Sequence, residues 1–226
     1  MYKVTVGVCC YKQKDWLYRC LRSLSKQTIS KKDFEVVVVN DDPEENLEEV
    51  CAPLSDYLNI RLINNEKNLG LPGSLNKILQ NSLGKYFVRV DADDYVSKHF
   101  LYLLSTFLDM NSGGRILRGP GYQAVACDYF KVDDIGGVIS RHSSSEEPIA
   151  CGTMFTYESL CAIGFYNEEF KMREGHELLT RYTSEYNLYN LPMPLYKYRM
   201  HEYNRTKDLN EVNKYDNKLS KNDIGG

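Results

Sequence analysis

Three carboxylates stand together at Asp91-Ala92-Asp93-Asp94, directly after the apolar run Tyr86-Phe87-Val88-Arg89-Val90. Acids this close repel one another unless a cation or a proton compensates them. Alternate aspartates at a strand end offer hard oxygen ligands to Mg²⁺ or Mn²⁺ and leave coordination positions for phosphates. A metal bridging a diphosphate would stabilise the charge that develops on it as a leaving group. The plainer reading is a solvated turn whose aspartate caps a helix starting near Ser97. The position of the turn among its neighbouring elements separates the two.

Those elements alternate. Val4 to Cys10 is a short β-branched run that reads as a buried strand, and Trp16-Leu17, Cys20-Leu21 and Leu24 then recur at helical spacing from Asp15, a candidate cap, to about Gln27. Phe34 to Val39 reads as a second strand ending at Asn40-Asp41-Asp42-Pro43, and a helix follows through Leu47, Val50, Leu54 and Tyr57. Ile60 to Ile63 is a third strand; Asn68 to Gly73 then turns into a helix over Leu75 to Leu83, and Tyr86 to Val90 is a fourth strand. Strands alternating with helices imply right-handed crossovers and an α/β fold with a mainly parallel central sheet flanked by helices. Ligands of such sheets sit at the carboxyl ends of the strands. Tyr11, Asp41 and the Asp91 group therefore converge on one rim.

The second half is less regular. Glycines at 113–114, 119, 121 and 136–137 punctuate strands expected over Ala124–Val132 and Gly137–Ser140. Arg141 to Pro148 reads as a mobile acidic loop, Ile149 to Phe155 as buried, and Glu174 to Tyr182 as a helix. A polar tail without fixed structure is expected over 207–226. One domain is expected over 1–206, with halves at about 1–95 and 96–206.

Composition narrows the class. With 226 residues, 42% hydrophobic and 26% charged, the chain has an ordinary globular mixture. A net charge of -3 and the lack of a basic stripe argue against a nucleic-acid partner. No apolar run approaches a membrane span and no signal-peptide pattern opens the chain, so a cytoplasmic location is expected, with peripheral contact at the inner face of a membrane left open. The seven cysteines form no Cys-x-x-Cys pair, which points to reduced thiols rather than structural zinc.

In order along the chain, Val6 to Tyr11-Lys12, Leu21 to Thr28, Asn40-Asp41-Asp42-Pro43, Asn68-Leu69-Gly70, Tyr86 to Asp94, and Tyr198-Arg199-Met200-His201 with Asn204 resemble the motifs of family 2 of the nucleotide-sugar glycosyltransferases. The resemblance covers residues 3 to about 206 and implies a Rossmann-like GT-A fold. It implies that Tyr11 and Asp41 hold the nucleobase or ribose, that Asp91 lies by the ribose and phosphates, and that Asp93 is the main metal ligand. Asp94 would support the metal indirectly, and His201 would approach the metal or diphosphate. An acidic element at a helix start supplies the family's catalytic base; here Glu174 and Glu177 are the candidates, glutamates in place of the usual aspartate. Positions three apart share a helix face, so both carboxylates can reach one cleft.

Plainer roles stand beside these. Asp41 can cap a helix, Glu174 can answer the helix dipole, Glu177 with Arg181 can be a surface pair, and His201 can be a packing residue. His176, His99 and His142 have weaker claims, and Lys12 and Arg199 are possible phosphate contacts. Two departures from the family pattern stand out. Ser74-Leu75-Asn76 replaces Ala-Arg-Asn, removing an arginine available to the diphosphate, and Asn40 replaces an Asp. The implied function is metal-dependent, inverting transfer of a sugar from a nucleotide-diphosphate donor to a hydroxyl of a glycan or lipid-linked saccharide. The donor nucleotide would be UDP first, then GDP or dTDP, with Mn²⁺ or Mg²⁺ as cofactor. A sugar-1-phosphate nucleotidyltransferase and a catalytically silent nucleotide-sugar-binding module in a glycan-assembly complex are the rivals. The first would call for a Gly-rich basic loop that Cys9 to Gln13 does not supply.

Overall fold

The computed structural model describes residues 1–111 and 121–223. The glycines expected to punctuate 113–114 and 119 lie outside the described residues. Strand β1 (Tyr2–Cys10) pairs in parallel with β2 (Phe34–Asn40) on one side and β4 (Gly84–Arg89) on the other; β3 (Ile60–Asn64) extends the sheet beyond β2. The remaining strands are β5 (Tyr95–Val96), β6 (Ala124–Val132), β7 (Val138–His142), β8 (Thr153–Thr156) and β9 (Leu188–Arg199). All belong to one sheet in the order β3-β2-β1-β4-β8-β6-β9-β5, with β7 added on β6. Strand β8 is antiparallel to both β4 and β6, so it joins the parallel first half to the second.

The sheet is buried on both faces because its central strands carry runs of consecutive apolar residues, such as Val36 to Val39 and Tyr86 to Val88, and not alternate ones. Val36, Val38 and Val88 face α1 (Lys14–Ser25), α2 (Glu48–Cys51) and α4 (Phe100–Asn111), whose Leu17, Leu21, Cys51, Phe100 and Leu104 complete that cluster. Val37, Val39 and Phe87 face α3 (Gly70–Gln80), α5 (Tyr157–Ile163) and α6 (Glu174–Glu185), meeting Leu75, Ile78, Leu160, Leu178 and Tyr182. Burying each such side chain contributes about 1.5–3 kcal/mol, enough to set strand register wherever one slip would exchange the two faces.

In register, Cys10 lies opposite Asn40 and Gly7 opposite Arg89. The carboxyl ends of β1, β2 and β4 thus share a rim, and Tyr11–Gln13, Asp41 and Val90–Asp94 leave the sheet there.

Several expectations need correction. The helix expected through Tyr57 is one turn of α2 followed by a 3₁₀ turn at Ala52–Leu54, because Pro53 lacks the N–H a continuing helix requires. Asp15 is not the cap of α1: it sits inside the first turn, and the preceding Gln13 makes no side-chain cap. Residues 141–148 are anchored, since β7 runs to His142, Arg141 donates to Asp128 and to the Pro192 carbonyl, and the Ser144 N–H donates to Asp128 Oδ1. Strand β9 was hidden by Pro192 and Pro194, which fall where its register with β6 shifts and no ladder N–H is needed.

The tail also departs from expectation. Helix α7 (Leu209–Asp223) packs Val212 and Tyr215 against Phe170 and Met172, with Leu219 beside them. Spacings of three and four put these residues on one face, which a reading of overall polarity overlooks.

Candidate active site

Arg89, the last residue of β4, is buried beneath the acidic turn. Its Nε and Nη2 donate to Asp91 Oδ1 and Oδ2 at 2.5 and 3.0 Å, and its Nη1 donates to Glu174 Oε1 at 2.7 Å. One fixed cation therefore serves two carboxylates from β4 and α6. Replacing Arg89 by Met would leave both acids without it, and a destabilisation of about 3–5 kcal/mol is expected in urea unfolding.

Asp94 turns inward. Its Oδ2 accepts from Tyr196 Oη at 2.7 Å and its Oδ1 from the Arg199 N–H at 2.7 Å, so the carboxylate ties the turn to β9. Burial, reinforced by Asp93 and Asp91, pushes its carboxyl well above the usual range. Arg199 is no phosphate contact. It is buried, with Nε on the Asp93 carbonyl at 2.7 Å and Nη1 on the Asp134 carbonyl at 2.6 Å.

Asp93 differs from its neighbours. Its Oδ2 accepts from Gln13 Nε2 at 2.9 Å and lies 3.0 Å from His201 Nε2. Among the described residues no arginine or lysine is paired with this carboxylate, so its charge could be met by a bound cation. The His201 N–H donates to Asn204 Oδ1 at 2.6 Å, and Asn204 Nδ2 donates to the Arg199 carbonyl at 3.0 Å, which fixes the closing segment against the turn. A second set of possible ligands, Asp91, Asp94 and Cys151, has donor atoms within 4.8 Å of one another. It suits a hard cation less well. Asp91 is committed to Arg89 and Asp94 to β9, while burial, with Asp91 and Asp94 beside it, holds the Cys151 thiol well above its ordinary pKa. The Asp93 carboxylate could hold Mn²⁺ or Mg²⁺, with His201 beside it.

Asp41 is buried at the end of β2, where its Oδ1 accepts from Asn65 Nδ2 at 2.7 Å and from the Leu69 N–H at 2.8 Å. Lys77 Nζ donates to Asn65 Oδ1 at 2.7 Å. Asp41 therefore does not cap a helix at its own Asp-Asp-Pro turn but takes the N–H of Leu69, the residue at the start of α3; Asp42 makes the local turn by accepting from the Glu44 N–H. Tyr11 is exposed on the same rim with Lys12 Nζ 5.3 Å from its ring centre. Leu75, at the position where the family pattern has arginine, is fully buried in the core.

Two non-glycine residues with positive φ flank the site. Lys12 (φ 55°) precedes Gln13, and Arg173 (φ 63°) precedes Glu174. Such backbone costs on the order of 1–3 kcal/mol and persists where surrounding contacts impose it. Arg173 is held by Asp216 of α7, Nη2 to Oδ2 at 3.1 Å and Nε to Oδ1 at 2.8 Å.

Glu174 and Glu177 part company. Glu174 reaches the acidic turn through Arg89, whereas both oxygens of Glu177 are taken by Arg181 at 2.6 and 2.8 Å. Arg181 also donates to the Ile163 and Phe165 carbonyls, so Glu177 clamps α6 to the turn after α5. The pair is an i,i+4 pair, but its carboxylate is buried. A Cβ on Gly175 would lie 1.9 Å from Ala150 Cβ, so glycine alone lets α6 start this close to the segment that leads into β8. Gly175→Ala is expected to cost about 1–3 kcal/mol, recovered in part by Ala150→Gly, as read from unfolding midpoints.

Arg89, Gln13, Trp16 and Tyr196 were not singled out from sequence. Arg89 alone left a signal there, a charge inside an apolar strand two residues before an acid, on the same strand face.

Among the described residues no helix is long and apolar enough to cross a membrane. Poly(ribitol-phosphate) beta-N-acetylglucosaminyltransferase TarS of Staphylococcus aureus is 34% identical over 135 residues, covering 58% of this chain. The chain spans about a quarter of that relative, 24% of its length. The solved structure of S. aureus TarS 1–349 in complex with UDP-GlcNAc superposes with a TM-score of 0.77 at 21% identity, over 91% of this chain and 61% of that one. The mannosyltransferase PcManGT from Pyrobaculum calidifontis, in complex with GDP-Man and Mn²⁺, gives 0.67 at 18% identity, over 90% and 59%. These likenesses establish the GT-A fold. Residues 5–158, from β1 to the start of α5, match the family model described as glycosyl transferase family 2, and the chain belongs to that family.

Proposed function

We propose that this domain transfers a sugar, with inversion, from a nucleotide-diphosphate donor to a hydroxyl of a glycan or lipid-linked saccharide, with UDP as the nucleotide. The observation that carries this reading is the pairing of Asp93 with His201 on the rim that also holds Asp41 and, through Arg89, Glu174. Asp41 and Tyr11 would receive the nucleoside, one by hydrogen bonding and one by its exposed ring. Asp91, held flat by Arg89, would lie by the ribose and phosphates. Asp93 and His201 would hold Mn²⁺ or Mg²⁺, with Asp94 fixing the turn from behind. When bound, that ion supplies Lewis-acid stabilisation to the departing nucleotide diphosphate. TarS in its UDP-GlcNAc complex and PcManGT with GDP-Man and Mn²⁺ share this fold, which supports a nucleotide-sugar donor and a divalent ion here.

Glu174 would be the base. Arg89 holds Oε1, so Oε2 takes the acceptor's proton while the acceptor oxygen bonds to the anomeric carbon from the face opposite the diphosphate. The bond to the diphosphate oxygen breaks as the new one forms.

The test is nucleotide release from a panel of UDP-, GDP- and dTDP-sugars, with and without Mn²⁺ and with candidate acceptor saccharides. Mn²⁺-dependent release from one nucleotide class, stimulated by an acceptor, is expected. Donor binding without release under any condition would favour the silent binding module instead.

A further inference from the structure

We infer that Trp16, on the first turn of α1, is a positioning residue for the cation seat: its indole fixes the plane of the His201 imidazole. The inference rests on the reading of Asp93 and His201 as that seat.

Metal-ligating histidines are normally oriented by a hydrogen bond from the second ring nitrogen to a carboxylate, a carbonyl or water. His201 lacks that device among the described residues. Its Nδ1 is buried with no hydrogen-bond partner, and the side chain is 2% exposed. Ring torsions of histidine are broad and roughly two-fold, so the main-chain bond to Asn204 does not by itself set the plane of the ring. Apart from Asp93 Oδ2 at Nε2, what touches the ring is Trp16, stacked over its face with centroids 4.2 Å apart and planes 29° from parallel. Tyr203 is farther away, its centroid 6.3 Å from that of His201.

The same turn of α1 acts on the other member of the seat, because Gln13 donates to Asp93 Oδ2. Residues 13 to 16 therefore orient both groups, one by a hydrogen bond and one by a ring face. Leu17, Cys20 and Leu21 bury α1 against the sheet and give that turn a rigid base. Losing an outer-shell partner typically weakens metal binding by about 10–100-fold.

The experiment measures free Mn²⁺ by electron paramagnetic resonance during titration of the full chain in the presence of UDP. Wild type is compared with Trp16→Phe, which keeps a stacking ring, and Trp16→Leu, which keeps apolar volume without one. Expected is a dissociation constant within about threefold of wild type for Phe and about 10–100-fold weaker for Leu, with metal-free melting temperatures alike. Trp16 is the only tryptophan, so Mn²⁺ should also quench the wild-type indole fluorescence, and should fail to do so in His201→Ala. Equal Mn²⁺ affinity in all three proteins, or equal loss in both variants, would overturn the role of Trp16 while leaving the seat intact. Failure of wild type to bind Mn²⁺ removes the seat, and this inference with it. Neither outcome resembles the other.

Discussion

Asp93→Asn is expected to lower sugar transfer about 1,000-fold and to weaken Mn²⁺ binding by more than the 10–100-fold typical of an outer-shell loss. The amide keeps an oxygen that can accept from Gln13 and His201, so the local hydrogen bonds survive and only the charge is removed. A cation's stabilisation of the leaving diphosphate is worth several kcal/mol, and each 1.36 kcal/mol is tenfold in rate. Asp91 and Asp94 do not replace the lost charge, because Arg89 already neutralises the first and β9 holds the second. The check is a pair of measurements on one preparation: turnover with saturating donor, and Mn²⁺ affinity in the presence of UDP. A loss of turnover with unchanged Mn²⁺ affinity would place the ion elsewhere, at Asp91, Asp94 and Cys151.

Glu174→Gln should cut kcat by about 100- to 10,000-fold with the donor's dissociation constant unchanged. Glutamine preserves the acceptor for Arg89 Nη1 and the start of α6, so the loss reports the missing proton acceptor. Glu177→Gln serves as the contrast. It breaks a two-pronged bond to Arg181 and should lower stability by about 1–3 kcal/mol with little effect on kcat per folded molecule. Stopped-assay turnover and urea unfolding on both variants separate the two glutamates, which sequence spacing alone leaves equivalent. If Glu177→Gln silences turnover in a folded protein, the assignment of the base is reversed.

The first half of the fold could be read from residue order because its cause is local. Runs such as Phe34 to Val39 declare a strand buried on both faces, and polar residues where such runs stop mark the carboxyl rim. The rim positions of Asp41, Asp91 and Asp93 are legible for the same reason. What escaped depends on pairs far apart in the chain: Gln13 with Asp93, Trp16 with His201, Arg89 with Glu174. No periodicity encodes such contacts. Glu177 illustrates the limit, since its spacing from Arg181 was visible but the burial of its carboxylate was not. Strand β9 and helix α7 escaped because prolines broke one pattern and a dominant polar composition masked the other.

A nucleotide diphosphate and a divalent cation are expected to bind together at Asp93. The deciding measurement is calorimetric titration of UDP, GDP and dTDP into the chain, with Mn²⁺ and again with excess EDTA. One nucleotide, expected to be UDP, should bind saturably at one site with Mn²⁺ and lose that binding with EDTA. Heat from no nucleotide, or the same isotherm in EDTA, would contradict it.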